Sequence, residues 1–403
     1  MEKIKVAALV TEYFRGSHAD VLITKILEGY DLYGKRTEPR VELASMYLEQ
    51  VDEIDIGVGL AEKHGVPIFG SIGEALAVGG PGVNVDGVII IAEHGVYLEN
   101  ELGQQLYPRR RFFEAAVAAM VSAGKFVPIF NDKHLDQLTV DATWMVATAN
   151  RLGIPMLAGS TLPLAWRDPV VDWPLGVEIS EAMIVAYGPI ERYGFHSLEA
   201  LQCMVERREG GETGVVSVQC LEGDAVWEAG REGRWSKALF SAALAAVPTE
   251  PDADAERDTL NPIAFLIDYT SGLRGTVILL DKFITSFGFA AQRGDEIDAC
   301  EMFLQDYPPH GHFTFFLRQI ETMMQTGKSP IPIERTLLTT CVLDKAMHSR
   351  WKDHARIETP DLDIVYQAPE KVEDTGVGHP LPPRTTDLVW SFGNEDRDKH
   401  RTN

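Results

Sequence analysis

The sequence has little of what would point to a secreted scaffold, a membrane or a nucleic acid. Four cysteines occur in 403 residues, Cys203, Cys220, Cys300 and Cys341, and no two form a C-x-x-C pair. That scarcity argues against a disulfide framework or a thiolate metal knuckle, and a reducing compartment, the cytoplasm, is expected. No apolar run approaches the ~20 residues of a membrane span. The short apolar stretch near the N-terminus lacks the small-residue cleavage pattern of a secretory signal and reads as a first β-strand. Cations are also scarce. With 37 Lys+Arg against 60 Asp+Glu the formal charge is −23, so a polyanionic partner, nucleic acid or an anionic membrane surface, would be repelled over most of the surface.

What is present is ordinary globular composition, 45% hydrophobic and 24% charged, in a chain long enough for two domains and a tail. Over residues 1–165 short apolar runs alternate with helical patterns. Strands are expected at 5–10, 41–47, 66–69, 85–92, 126–130 and 154–158, and helices at 18–28, 56–64, 72–78, 112–123 and 140–152, several closed by glycine. The run "VDGVIIIA" is apolar on both faces, as a parallel sheet covered by helices requires. The fold class expected is α/β: a Rossmann-like doubly wound parallel sheet, then an α+β domain with a mostly antiparallel sheet over residues 166–357. In the second domain strands are expected at 214–221, 264–269 and 275–283, with helices at 311–326 and 334–350. "PTEPDADAERD", residues 248–258, reads as an acidic surface loop. Residues 358–403, rich in Pro, Gly and charge, read as a C-terminal extension.

Several strings carry a resemblance. "LAEKHGVPIFGSIGEAL", "VDGVIII" and "AGKFVPIFNDKHLDQLTVDATWMVATANRLGIPMLAGS", then "YGFHSLEALQCM" and "FLRQIETMMQTGKSPIPIERTLLTTCVLDKAMHSR", resemble the Gfo/Idh/MocA family of sugar and polyol oxidoreductases from about residue 4 to residue 357. The resemblance implies NAD(P), a small hydroxylated substrate and a homo-oligomer built through the open face of the second sheet. It also implies that Lys133 assists proton transfer at the reacting carbinol and that His196 is the active-site histidine. The family's phosphate loop, however, is G-x-G-x-x-G. If His18 is the histidine following it, the glycine positions hold Val10, Glu12 and Arg15, and Glu12 sets a carboxylate where two phosphates would sit. The ribose reader after the second strand falls near Ser45 and Met46, and the aspartate four residues before His196 is Arg192.

In open α/β sheets ligands bind at the carboxyl ends of the strands. Those ends carry Glu12 and His18, then Glu93 and His94, then Asp132 and Lys133, then Ser160. Lys133 suits a general acid or an electrophile for an oxyanion, with Asp132 beside it. Histidines and carboxylates suit Zn, Mn or Fe, and Glu93, His94, His196 and Glu199 form the candidate ligand set, with His196 and Glu199 one helical turn apart. Arg109, Arg110 and Arg111 open a helix, where the dipole disfavours cations. Arg109 and Arg111 are therefore candidates for an anionic group on the substrate, with Ser160, Glu12 and His18 as further contacts, the alternative being ion pairs. Residues 95–106 form an inserted loop that could cover the site. His310 and His312 read as a loop with a helix start. Three functions remain open: a metal-assisted lyase, isomerase or hydrolase; an NAD(P)-dependent oxidoreductase with a rebuilt phosphate loop; and a non-catalytic sensor or assembly subunit.

Overall fold

In the computed structural model, which describes residues 3–384, the first sheet is built from six parallel strands. They are β1 (Ile4–Val10), β2 (Val41–Leu48), β3 (Ile68–Phe69), β4 (Gly87–Ile91), β5 (Ile129–Asp132) and β6 (Met156–Gly159), in the order β3-β2-β1-β4-β5-β6. This is the doubly wound order whose switch point lies between β1 and β4. Alternation along β1 explains the two layers. Ala7 and Leu9 pack with helices α3 (Ile72–Ala77), α4 (Arg109–Ala123) and α5 (Thr139–Leu152). Val6, Ala8 and Val10 face the opposite layer with α1 (His18–Glu28) and α2 (Gly57–His64). The α2, α4 and α5 helices end on left-handed Gly65, Gly124 and Gly153, as the glycine stops predict.

The second sheet has eight strands: β7 (Trp166–Asp168), β8 (Glu181–Ala186), β9 (Val215–Glu222), β10 (Ile263–Tyr269), β11 (Arg274–Leu279), β12 (Phe287–Arg293), β13 (Glu296–Phe303) and β14 (Ile357–Glu358). The order is β14-β9-β10-β11-β8-β12-β13-β7, antiparallel throughout except for the parallel β8–β11 pair. One face, with Ile184, Phe265, Val277 and Phe289, packs on α6 (Ile190–Val205) and α8 (Ile333–Trp351). Between them in sequence, α7 (Gly311–Thr326) returns to the first sheet, where Phe316 meets Phe130 at a centroid distance of 5.1 Å. Residues 369–374 lie against the body, where Arg207 donates to the carbonyls of Pro369 and Glu370 and Arg318 pairs with Asp374.

Three expectations change. First, β2 runs one residue further, so the position after it is Glu49 rather than Ser45 or Met46. Ser45 is buried inside the strand and donates to the Ala75 carbonyl at 2.6 Å. Second, α4 begins at Arg109 rather than at residue 112, so the three arginines do open the helix, as read from the sequence. Third, the face of the second sheet expected to be open is covered by the chain itself. Met183, Val185, Leu266, Ile278 and Ala290 pack beneath a two-helix insert, Asp224–Arg231 and Lys237–Ala245, that contributes Val226, Trp227, Trp235 and Leu239. The sequence reading saw neither helix, and the acidic stretch 248–258 is the end of this insert.

Candidate active site

The chain turns abruptly after β5. Lys133 takes a φ of 60°, a conformation that costs a non-glycine residue roughly 1–3 kcal/mol unless its surroundings hold it. Here they do. The Lys133 carbonyl accepts the Gly159 amide at 3.0 Å, and the Asn131 side chain donates to the His134 carbonyl at 3.1 Å. The turn drives the Lys133 ammonium into the interior, where it pairs with Glu93 Oε1 from the end of β4. His18 opens α1, and its Nδ1 lies 2.7 Å from Asp132 Oδ2 and 3.9 Å from Glu93 Oε2. Four of the expected residues, His18, Glu93, Asp132 and Lys133, thus form one buried network at the switch point. His94 adjoins it, with Nε2 3.9 Å from Glu93 Oε1 and its ring on the edge of Phe14.

Burial sets the charge states around this network. It would raise Glu93, but the neighbouring His18 and Lys133 outweigh it and hold the carboxyl well below its usual range. For Asp132 burial wins and its pKa rises despite His18. Burial pushes His94 down to about 3. It also pushes His134 and His196 well below the usual imidazole value, aided by the Arg109 charge at His134 and the Lys133 charge at His196. These three rings are neutral at pH 7, so each offers one acceptor nitrogen. His196 Nδ1 is 2.7 Å from Ser160 Oγ, which orients the ring from the end of β6.

The other expected residues separate. Glu199 does not join the carboxylates of β4 and β5. It is buried under β6, accepts the Thr339 hydroxyl at 2.6 Å and the Ser160 amide at 3.3 Å, and lies where a Cβ on Gly159 would touch it. The expected ligand set Glu93, His94, His196 and Glu199 therefore does not assemble. Among the described residues the one group of three or more converging metal-ligand side chains is His18, Glu93 and Asp132. Arg111 is turned outward and grips Glu49 through two bonds of 2.6 and 2.7 Å. Arg109 is the opposite case. It is 1% exposed, sits 5.0 Å over the Tyr107 ring and bonds His134 Nε2 at 3.1 Å, with no carboxylate in salt-bridge range among the described residues. Its Nε and the His134 Nδ1 have no hydrogen-bond partner. Since an arginine can only donate, His134 accepts at Nε2 and its proton is assigned to Nδ1. Two buried donors, one on each residue, are thus left without an acceptor. The inserted loop is anchored rather than loose: Gln104 donates to the Gln137 carbonyl at 2.8 Å, and Tyr97 to Glu49 at 2.9 Å.

Two residues escaped the sequence reading. Glu49 was missed because the alternation of "VELASMYL" was cut one residue early. His312, fully buried in the first turn of α7, faces the same region. Its ring lies tilted against Phe313 at 4.6 Å, and Phe313 in turn meets His18 at 4.8 Å. Nothing in "PPHGHF" signals that approach.

The end of the site where a dinucleotide phosphate would rest is filled from within. Glu12 is buried just beyond β1, Tyr13 and Phe14 are buried after it, and Ile56 donates its amide to the Tyr13 carbonyl. The start of α1 is capped by its own side chains, with Ser17 accepting the Asp20 amide and the Asp20 carboxylate accepting the Gly16 amide at 2.9 Å. An anion already stands where the helix would offer its amides to phosphate.

No family model and no curated protein matches this sequence. Solved structures do. GenD2 from gentamicin A biosynthesis, solved with NAD, is 15% identical at a TM-score of 0.56, over 89% of this chain and 97% of that one. Scyllo-inositol dehydrogenase from Lactobacillus casei is 11% identical at 0.55, over 89% and 98%. A probable dehydrogenase from Thermotoga maritima is 12% identical at 0.55, over 89% and 100%. The chain shares its fold with these structures, in keeping with the fold that the resemblance to the Gfo/Idh/MocA family implies. At this identity the likeness concerns the fold alone. Within it the residues at the phosphate end do not fit a dinucleotide held in the usual way, since buried side chains and a helix-capping carboxylate take the place of the glycine cradle. No helix among the described residues is long and apolar enough to cross a membrane.

Proposed function

We propose that the protein is an enzyme that performs acid–base chemistry, without hydride transfer, on a small hydroxylated or carbonyl compound bearing an anionic group. The observation that carries this reading is the buried Arg109. A charged group inside a protein needs a counter-charge, and this one touches only a neutral histidine and an aromatic face, with Asp136, Glu191 and Glu93 acting on it through space and none in direct contact. A substrate carboxylate or phosphate would supply it, accepting a bond from the unpartnered Arg109 Nε. Neutral His196, steadied by Ser160, is then the base at the reacting carbon, and the Lys133 ammonium stabilises the developing oxyanion or returns the proton. The reaction classes that fit are a lyase, an isomerase or a hydrolase.

A second reading, an NAD(P)-dependent sugar or polyol oxidoreductase, is favoured by the NAD complex among the structural neighbours. One experiment separates the two. The protein is incubated in D₂O with aldonates, uronates and sugar phosphates, without dinucleotide, and proton exchange and product are followed by NMR. Exchange or turnover abolished by Lys133→Ala and by His196→Ala is expected. Turnover that appears only when NAD(P) is added would transfer the site to the second reading.

A further inference from the structure

We propose that His18, Glu93 and Asp132 form a site for one divalent transition-metal ion of the Mn²⁺, Fe²⁺ or Zn²⁺ class. Their donor atoms all lie within 4.8 Å of one another, close to the roughly 3–4 Å separations of atoms sharing an ion at about 2.1 Å. A cluster of this kind is often nothing more than ion pairs, and here the pairs are visibly incomplete. Lys133 holds Glu93 Oε1 and His18 holds Asp132 Oδ2. Glu93 Oε2 and Asp132 Oδ1 are buried with no hydrogen-bond partner, although the residues are 4% and 2% exposed. Buried acceptors left without a donor are rare. Two such oxygens beside an imidazole nitrogen make a donor set that a cation completes. One nitrogen and two carboxylate oxygens suit a borderline ion over Cu⁺ or Ca²⁺.

The ligands come from three segments that meet at the switch point, the first residue of α1 and the ends of β4 and β5. The site does not include His196 or Glu199. Three protein donors leave coordination positions open, the pattern of a catalytic rather than a structural centre. A substrate hydroxyl or carbonyl oxygen placed there would be polarised beside Lys133. That catalytic role rests on the reading given above, whereas occupancy does not.

The test therefore reads binding without substrate. The chelator-stripped full chain is titrated with Mn²⁺, followed by loss of the free-ion EPR signal, and with Zn²⁺ by calorimetry. One ion per chain is expected, with binding weakened roughly tenfold to a hundredfold or more by Asp132→Asn and by Glu93→Gln and unchanged in His196→Ala. Should Asp132→Asn fail to fold, Glu93→Gln and His18→Gln read the same site. Absence of stoichiometric uptake by the wild type would overturn the proposal, as would uptake unaffected by both carboxylate variants. Metal uptake together with a failed D₂O assay would leave this site standing and remove the proposed function instead.

Discussion

Replacing Glu206 by glutamine isolates one charge in the interior and reports how the second domain is held to its helices. Glu206 caps the end of α6, and Arg335 stands in the first turn of α8. Each is on the wrong end of its helix, since the dipole disfavours an anion at the C-terminus and a cation at the N-terminus by roughly 0.3–1 kcal/mol. Together they form a two-bond pair at 2.8 and 2.5 Å, with the Tyr366 hydroxyl donating to the same carboxylate at 2.8 Å. Both side chains are at most 5% exposed. Breaking a pair this buried costs about 3–5 kcal/mol, because the remaining charge stays without a partner. At about 2–4 °C per kcal/mol for a unit of this size, Glu206→Gln should lower the melting temperature by roughly 6–20 °C. Arg335→Met should do likewise. The double variant Glu206→Gln/Arg335→Met should lose less than the sum of the two singles, since no orphaned charge remains. Differential scanning calorimetry of the four proteins closes the cycle. Single losses below about 1 kcal/mol, or strictly additive losses, would refute the claim that the pair bolts α6 to α8.

Other outcomes follow from the same structure. Gly159→Ala should lower stability by about 2–4 kcal/mol, read from urea unfolding. Gly159 has a φ of 128°, and its Cβ would stand 2.7 Å from the Glu199 carboxylate and 2.9 Å from the Thr336 hydroxyl. Trp235→Ala should cost about 3–5 kcal/mol and uncover the sheet face beneath the insert, so that size-exclusion chromatography shows concentration-dependent association beyond that of the wild type. Lys25, buried and bonded to the Pro309 carbonyl, is lowered by burial to about 8. Between pH 8 and the unfolded value the unfolded chain holds the extra proton, so this residue's contribution to stability rises with pH, by about 1.4 kcal/mol per unit. Lys25→Met should flatten the stability profile over that window and leave its slope below pH 7 unchanged.

How much of this was legible beforehand depends on the range of the interaction concerned. The parallel sheet could be read because its signals are local: apolar runs such as "VDGVIII", helical periods, and glycines one step beyond each helix. The strand-end residues could be read for the same reason, because a doubly wound sheet assigns chemistry to the carboxyl ends of its strands whatever the partners. Their pairing could not. His18 reaches Asp132 across 114 residues, and nothing near either residue marks the other as its partner. Glu199 illustrates the opposite error. Its helical spacing from His196 suited a metal, but its carboxylate is taken up by Thr339 and the Ser160 amide.

The scarcity of cations tells the same story at a finer scale. By itself the sequence determined a strongly acidic α/β chain with no glycine cradle for a phosphate and with acids and histidines at the strand ends. Only the tertiary structure decided which arginine goes inside. Arg109 and Arg111 are two residues apart on one helix, so they project about 200° apart around its axis. One is buried beside His134 and the other lies on the surface with Glu49. A helical period can separate two such faces, but which of them meets the core depends on what the rest of the chain packs against it.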